Sequence, residues 1–192
     1  MSIAPSQRFW NVPNTLTLSR LVLAVGVFAL IDFRQYLPAL GLFIVASITD
    51  ALDGYFARLL NQTSAVGRQL DPLVDKLVMS GVLVYLVTVP ESGLAPWMVT
   101  VIVCRELLVQ GLRSAIEGKG TAFGAKWSGK VKTTLQMLAV CAILLVLGTE
   151  AAAPLRGIRD VLIWSSVVMT VYSGVGYVGL AWPNLKRMAE GT

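Results

Sequence analysis

The chain has 192 residues, of which 55% are hydrophobic and only 14% charged, and its mean hydropathy is +0.69, which sets it apart from soluble globular proteins and predicts a membrane protein. Sixteen Lys and Arg against eleven Asp and Glu give a net charge of +5, which suits anionic lipid headgroups and anionic substrates; nucleic acid is not among the expected partners. Histidine does not occur, which excludes every imidazole-based catalytic or metal-binding scheme and leaves carboxylates, hydroxyls, lysines and arginines.

In chain order, a polar stretch ends at Arg8, and Phe9 and Trp10 follow as a short interfacial segment. It does not read as a cleaved leader, because the next apolar run has no small-residue cleavage site before a polar mature domain. Spanning the hydrocarbon takes about 20 mainly apolar residues. Six stretches meet that length: 16–35, 37–60, 72–89, 95–116, 129–147 and 158–182. Pro38, Pro96 and Pro154 fall near helix starts, where a missing N–H does least harm. No Pro/Gly/Ser-rich linker divides the chain, so residues 1–192 are read as one domain. The expected fold is all-α: an integral membrane bundle of six transmembrane helices. Cys104 and Cys141 sit inside apolar segments without ligand spacing and read as small buried hydrophobes.

An even number of spans puts both termini on one side. There fall Arg8, Arg20, Arg58, Arg68, Lys76, Arg105, Arg113, Lys119, Lys126, Lys130, Lys132, Lys186 and Arg187, against Arg34, Arg156 and Arg159 on the other. The positive-inside rule makes the crowded side cytoplasmic.

Asp50, Asp53, Asp71 and Asp75 stand out in a chain that otherwise avoids charge. Each would cost about 2.5–3.5 kcal/mol at a helix centre, so they need partners. Asp50 and Asp53 are three residues apart, Asp71 and Asp75 one turn apart on the next helix; side by side, the two helices would bring four carboxylates into one pocket. Mutual repulsion would force protonation unless divalent cations were shared among them. Ligation by oxygen alone favours hard ions such as magnesium, manganese or calcium, and two of them would clamp a phosphate ester. Capping offers another reading of Asp71 before Pro72, a surface pair another for Asp75 and Lys76, and a turn another for Asp53 and Gly54.

Residues 50–58 read Asp50-Ala51-Leu52-Asp53-Gly54-Tyr55-Phe56-Ala57-Arg58, followed by Gly67, Asp71 and Asp75. This resembles the signature of the CDP-alcohol phosphotransferases, D-x-x-D-G-x-x-A-R, a spacer, then G-x-x-x-D-x-x-x-D, with every specified position filled. The resemblance implies a six-helix membrane bundle, usually a homodimer, in which Asp50, Asp53, Asp71 and Asp75 bind two divalent cations, Mg2+ or Mn2+. It further implies that Asp75 is the general base on the acceptor hydroxyl, and that Gly54, Ala57, Arg58 and Gly67 hold the CDP part. Small residues let a nucleotide approach the backbone, and a guanidinium pairs with phosphate oxygens. For Asn14, Thr17 and Arg20, at the start of the first span, helix capping and nucleotide contact both remain open.

A wider similarity takes in 11–20, Arg105-Glu106 to Arg113, and 127–137. It points to the bacterial branch of the family that joins CDP-diacylglycerol to sn-glycerol 3-phosphate, in the inner membrane with the site facing the cytoplasm. Independently, Arg105 and Arg113 lie near one helix face and Lys130 and Lys132 open the next helix, forming a basic lobe suited to the acceptor's phosphate. Binding of anionic membrane lipids is the other reading of these cations, and is preferred for Lys119 and Lys126. Glu106 is expected to compensate Arg105, and Thr133 or Thr134 to satisfy helix backbone groups. Rival functions are transfer to inositol phosphate or serine and, from another class, divalent-cation transport.

Overall fold

Each of the six apolar stretches forms an α-helix: α1 (Val12–Asp32), α2 (Tyr36–Leu60), α3 (Ala65–Val87), α4 (Pro96–Glu117), α5 (Trp127–Thr149) and α6 (Ala153–Ala189), with a 3-10 turn at Pro90–Ser92 before α4. The structure, a computed structural model, describes the backbone of residues 12–60, 65–117, 127–149 and 153–189, and side chains within 19–49, 73–116, 127–149 and 153–183. The interfacial segment at Arg8, Phe9 and Trp10, like Lys119 and Lys126, lies outside the described residues. No strand occurs among those described.

Helix ends differ from expectation where polar residues have good helix propensity. Because α1 begins at Val12, Asn14 and Thr17 lie inside the helix, not at its cap, with Pro13 tolerated in the first turn. α1 closes in a Schellman arrangement: the Gln35 N–H donates to the Leu30 carbonyl at 2.7 Å and the Arg34 N–H to that of Ile31 at 2.9 Å, with Arg34 left-handed at φ 56°. α3 begins at Ala65, since Ala65, Arg68, Gln69 and Leu70 all favour helix, so the N-cap reading of Asp71 is corrected: Asp71 and Pro72 lie within α3. α6 likewise extends past both expected ends and continues through Pro183.

By their contacts the residues divide into two compact units, Met1–Tyr85 and Leu86–Thr192. In the first, α1 packs on α2 and, through Leu21, Ala24 and Phe28, on Val74 and Val78 of α3. The Phe28 ring stacks on Tyr85 at 5.1 Å and lies over Gly81, so the missing Cβ is what lets the helices approach. In the second, α6 packs on both α5 and α4, with Val109, Leu112 and Ile116 against Tyr177 and Ala181. Arg159 ties the turn before α4 to α6: its Nη1 donates to the Glu91 carbonyl at 2.7 Å, its Nη2 pairs with Asp160 at 2.7 Å, and its guanidinium covers Gly93, whose φ is 78°.

The distribution of polarity is that of a protein in lipid. Large apolar side chains face outward, among them Val22 and Val25 on α1, Phe33 in the turn after it, and Leu107 and Leu108 on α4. On α6, Val161, Trp164, Val168, Val171, Val175, Val178 and Trp182 make an exposed stripe at alternating three- and four-residue spacing. Meanwhile Arg20, Glu106, Lys132, Gln136, Ser166, Thr170 and Ser173 are buried. Water would penalise that outer surface, whereas acyl chains are as apolar as leucine. Among the described residues, α5 and the Ala153–Pro183 part of α6 are long and apolar enough to cross a membrane. Both cysteines are free thiols; Cys104 is exposed on α4 and Cys141 half-buried, which corrects their reading as buried hydrophobes and follows from an apolar exterior that accepts a thiol as readily as a core does.

Candidate active site

The helical register assigns the eight signature residues to two helices consecutive in the chain. Asp50, Asp53, Gly54, Ala57 and Arg58 occupy the last turns of α2, and Gly67, Asp71 and Asp75 the first turns of α3. The side chains of all but Asp75 lie outside the described residues, as do those of Asn14 and Thr17. Asp75 is well defined in its surroundings: its Oδ1 accepts from Arg20 Nη1 at 2.5 Å, with 45% of the Asp75 side chain exposed but only 6% of Arg20. A desolvated guanidinium on α1 thus grips a half-exposed carboxylate on α3 from the protein side. Sequence reading missed this pairing. The available signal was an arginine within an apolar helix, a residue that must find an anion, although 55 positions of separation hid which one.

Among the described residues no three His, Cys, Asp or Glu side chains gather into a metal-holding group; Asp50, Asp53 and Asp71 fall outside that comparison. The chemistry of the donor set nevertheless fits a hard divalent cation, being carboxylate oxygen throughout in a chain without histidine.

The basic residues of the second unit sort into different environments. Lys132 is buried on α5 and its Nζ pairs with Glu106 Oε1; the same oxygen accepts from Arg105 Nη1 at 3.0 Å. Arg105 Nη2 donates to Ser173 Oγ at 2.9 Å, and its guanidinium lies 5.4 Å from the centre of the Tyr177 ring. The support continues inward, with Ser173 Oγ donating to the Thr170 carbonyl at 3.1 Å and Gln136 Nε2 to Thr170 Oγ1 at 3.2 Å. Arg113 is half-buried two turns beyond Arg105 on α4. Lys130 is exposed, because two residues turn a helix by about 200° and carry it away from Lys132. The structure therefore brings Arg105 and Lys132 together through Glu106 and leaves Lys130 apart from them. The expected compensation of Arg105 by Glu106 holds, and Thr133 and Thr134 bond the carbonyls of Gly129 and Lys130 at 3.0 and 3.2 Å. Ser173, Tyr177, Gln136 and Thr170 carried no sequence signal beyond being polar in an apolar helix.

Residues 10–172 match the family model described as CDP-alcohol phosphatidyltransferase. The chain is 39% identical over 195 residues to a CDP-diacylglycerol–glycerol-3-phosphate 3-phosphatidyltransferase of Bacillus subtilis, covering 92% of this chain and 98% of that one. It is 38% identical over 174 residues to the protein of the same name from Cereibacter sphaeroides, covering 86% and 76%. A probable phosphatidylglycerophosphate synthase of Mycobacterium tuberculosis is 36% identical over 187 residues, covering 93% and 85%. With the signature complete on α2 and α3 and the match extending over most of its length, the chain belongs to the CDP-alcohol phosphatidyltransferase family.

Proposed function

We propose that this enzyme transfers the phosphatidyl group of CDP-diacylglycerol to sn-glycerol 3-phosphate, giving phosphatidylglycerophosphate and CMP in anionic phospholipid synthesis. The observation that carries the reading is the full aspartate signature in a chain whose relatives, matched over 98% and 76% of their own length, are named for this reaction. Those names favour glycerol 3-phosphate over inositol phosphate or serine, and an enzyme over a cation transporter.

In this reading residues 1–192 form one domain of six spans in the bacterial inner membrane, working as a homodimer with both termini and the site on the cytoplasmic side. Trp164 and Trp182, both exposed on α6, lie about 27 Å apart along the helix axis at 1.5 Å per residue, close to the thickness of a hydrocarbon core. Trp97 meets Trp164 at 5.7 Å, as expected of an aromatic belt at one interface.

Asp50, Asp53, Asp71 and Asp75 would hold two divalent cations, Mg2+ or Mn2+, which when bound neutralise the diphosphate of the CDP-lipid. The small residues Gly54, Ala57 and Gly67 leave room for the nucleotide, Asn14 and Thr17 line its approach, and Arg58 meets the phosphate of the departing CMP. The acyl chains stay among membrane lipids. Arg105, Arg113, Lys130 and Lys132 draw in the acceptor's phosphate. Asp75, steadied by Arg20, accepts the proton of the acceptor's 1-hydroxyl as that oxygen attacks the phosphorus bearing diacylglycerol. Positioning and charge neutralisation supply most of the acceleration.

Purified protein in detergent, given CDP-diacylglycerol, magnesium and each acceptor in turn, tests the proposal. Glycerol 3-phosphate should drive CMP release well above inositol phosphate or serine. Equal release with serine, or none with glycerol 3-phosphate, would overturn it.

A further inference from the structure

We infer that Ser173 is a positioning residue for the acceptor's phosphate: from α6 it fixes the plane of the Arg105 guanidinium, which makes α6 part of the acceptor site together with α4 and α5. The inference rests on the acceptor reading above and adds to it a helix with no charged residue between Asp160 and Lys186.

Three observations lead there. First, three positions on α6 hold three parts of one side chain. Ser173 Oγ accepts from Arg105 Nη2 at 2.9 Å, the guanidinium carbon lies 5.4 Å from the centre of the Tyr177 ring, and a Cβ at Gly174 would come within 3.1 Å of Arg105 Cγ. Residues 173, 174 and 177 fall within about 100° of turn, so head, face and stem are all set by one face of one helix. Second, the direction of the Ser173 hydroxyl is fixed. The residue is buried and donates its proton to the Thr170 carbonyl at 3.1 Å, so what it turns toward Arg105 is a lone pair, the group that a guanidinium needs. Third, Arg105 is oriented without being saturated. Nη1 gives one bond to Glu106 at 3.0 Å and Nη2 one to Ser173, two single bonds to partners on different helices, whereas a carboxylate alone would be met by two parallel bonds. A guanidinium has five N–H groups, and Nε is buried without a hydrogen-bond partner.

A planar fork recognises phosphate oxygens through its geometry, so its plane must be set before the substrate arrives. Glu106 holds one end of the guanidinium, and a single bond leaves the group free to swing about it; Ser173 at the other end removes that freedom. Without Ser173, Arg105 keeps its charge and its contact to Glu106 but loses its fixed plane. The loss should therefore fall on the acceptor and spare the CDP-lipid, which the proposed function assigns to residues of α2 and α3.

The test separates positioning from mere stabilisation. CMP release by wild type, Ser173→Ala, Arg105→Lys and the double variant is measured in detergent, varying glycerol 3-phosphate at saturating CDP-diacylglycerol and then the reverse. Ser173→Ala should raise KM for glycerol 3-phosphate by about threefold to tenfold while KM for CDP-diacylglycerol stays within about twofold. In the Arg105→Lys background, where the fork is already gone, the same substitution should add less than about twofold. Gly174→Ala, which suits a helix and displaces the arginine stem instead of its head, carries the same test if Ser173→Ala does not fold. Since KM is independent of the fraction of active enzyme, a lowered kcat with unchanged acceptor KM would mean a structural role and overturn the inference. So would a rise shared equally by both substrates, or a full effect of Ser173→Ala in the Arg105→Lys background. Wild-type protein that releases no CMP with glycerol 3-phosphate would instead refute the acceptor reading beneath it.

Discussion

Replacing Asp75 with asparagine removes a charge while nearly conserving shape, and the structure lets the consequences for folding and for catalysis be weighed separately. The Asn Oδ1 can still accept from Arg20 Nη1, so the 2.5 Å contact loses its charge but keeps its geometry. A hydrogen bond to a charged group contributes about 1.5–3 kcal/mol. With 45% of the Asp75 side chain exposed, solvent screening brings the ionic part of that down to about 1 kcal/mol. A loss of that size lowers Tm by only a few degrees and leaves the protein folded. Loss of a general base costs about 100- to 10,000-fold in turnover, equivalent to about 3–5 kcal/mol of barrier. The same detergent-purified preparation is therefore assayed for thermal unfolding and for CMP release. The expected result is a near-native melt with turnover reduced at least about 100-fold. Turnover within tenfold of wild type would remove Asp75 from the base role, and loss of the cooperative melt would recast it as structural.

Arg20→Lys keeps the charge on α1 but loses the planar fork, so turnover should fall by about 10- to 100-fold and, combined with Asp75→Asn, should cause little further loss; full additivity in that double-mutant cycle would mean the two do not act as a unit. Arg34→Gly should raise stability by about 1 kcal/mol, read as a higher Tm, because the left-handed position at φ 56° suits glycine and strains arginine. Gly81→Ala should destabilise by about 1–3 kcal/mol, since a Cβ there would come within 2.4 Å of Phe28 Cζ and push the ring off Tyr85; an unchanged melt would argue against that packing. Gly93→Ala should cost about 1 kcal/mol or more, because φ is 78° and the Arg159 guanidinium occupies the space above it.

The helices were legible because membrane spans are set by length and hydropathy, quantities local to each stretch. Their ends were less so. Residues 65–71 look like a polar connection, yet alanine, arginine, glutamine and leucine continue a helix well enough to move Asp71 from its expected cap into α3. Similarly, Asn14 passes from a cap to an interior position once α1 starts at Val12. The two lysines at the start of α5 were read as one lobe, but the helical turn buries Lys132 and exposes Lys130.

From the sequence alone came the family, the reaction class and the four aspartates, because a motif confined to two consecutive helices keeps its chemistry in its spacing. Which cation each carboxylate holds was decided only in three dimensions. Arg20 reaches Asp75 across 55 positions, and Lys132 reaches Glu106 across 26. In an apolar surrounding every buried charge must find a partner, but nothing in the linear order says from which helix that partner comes; packing of whole helices determines it.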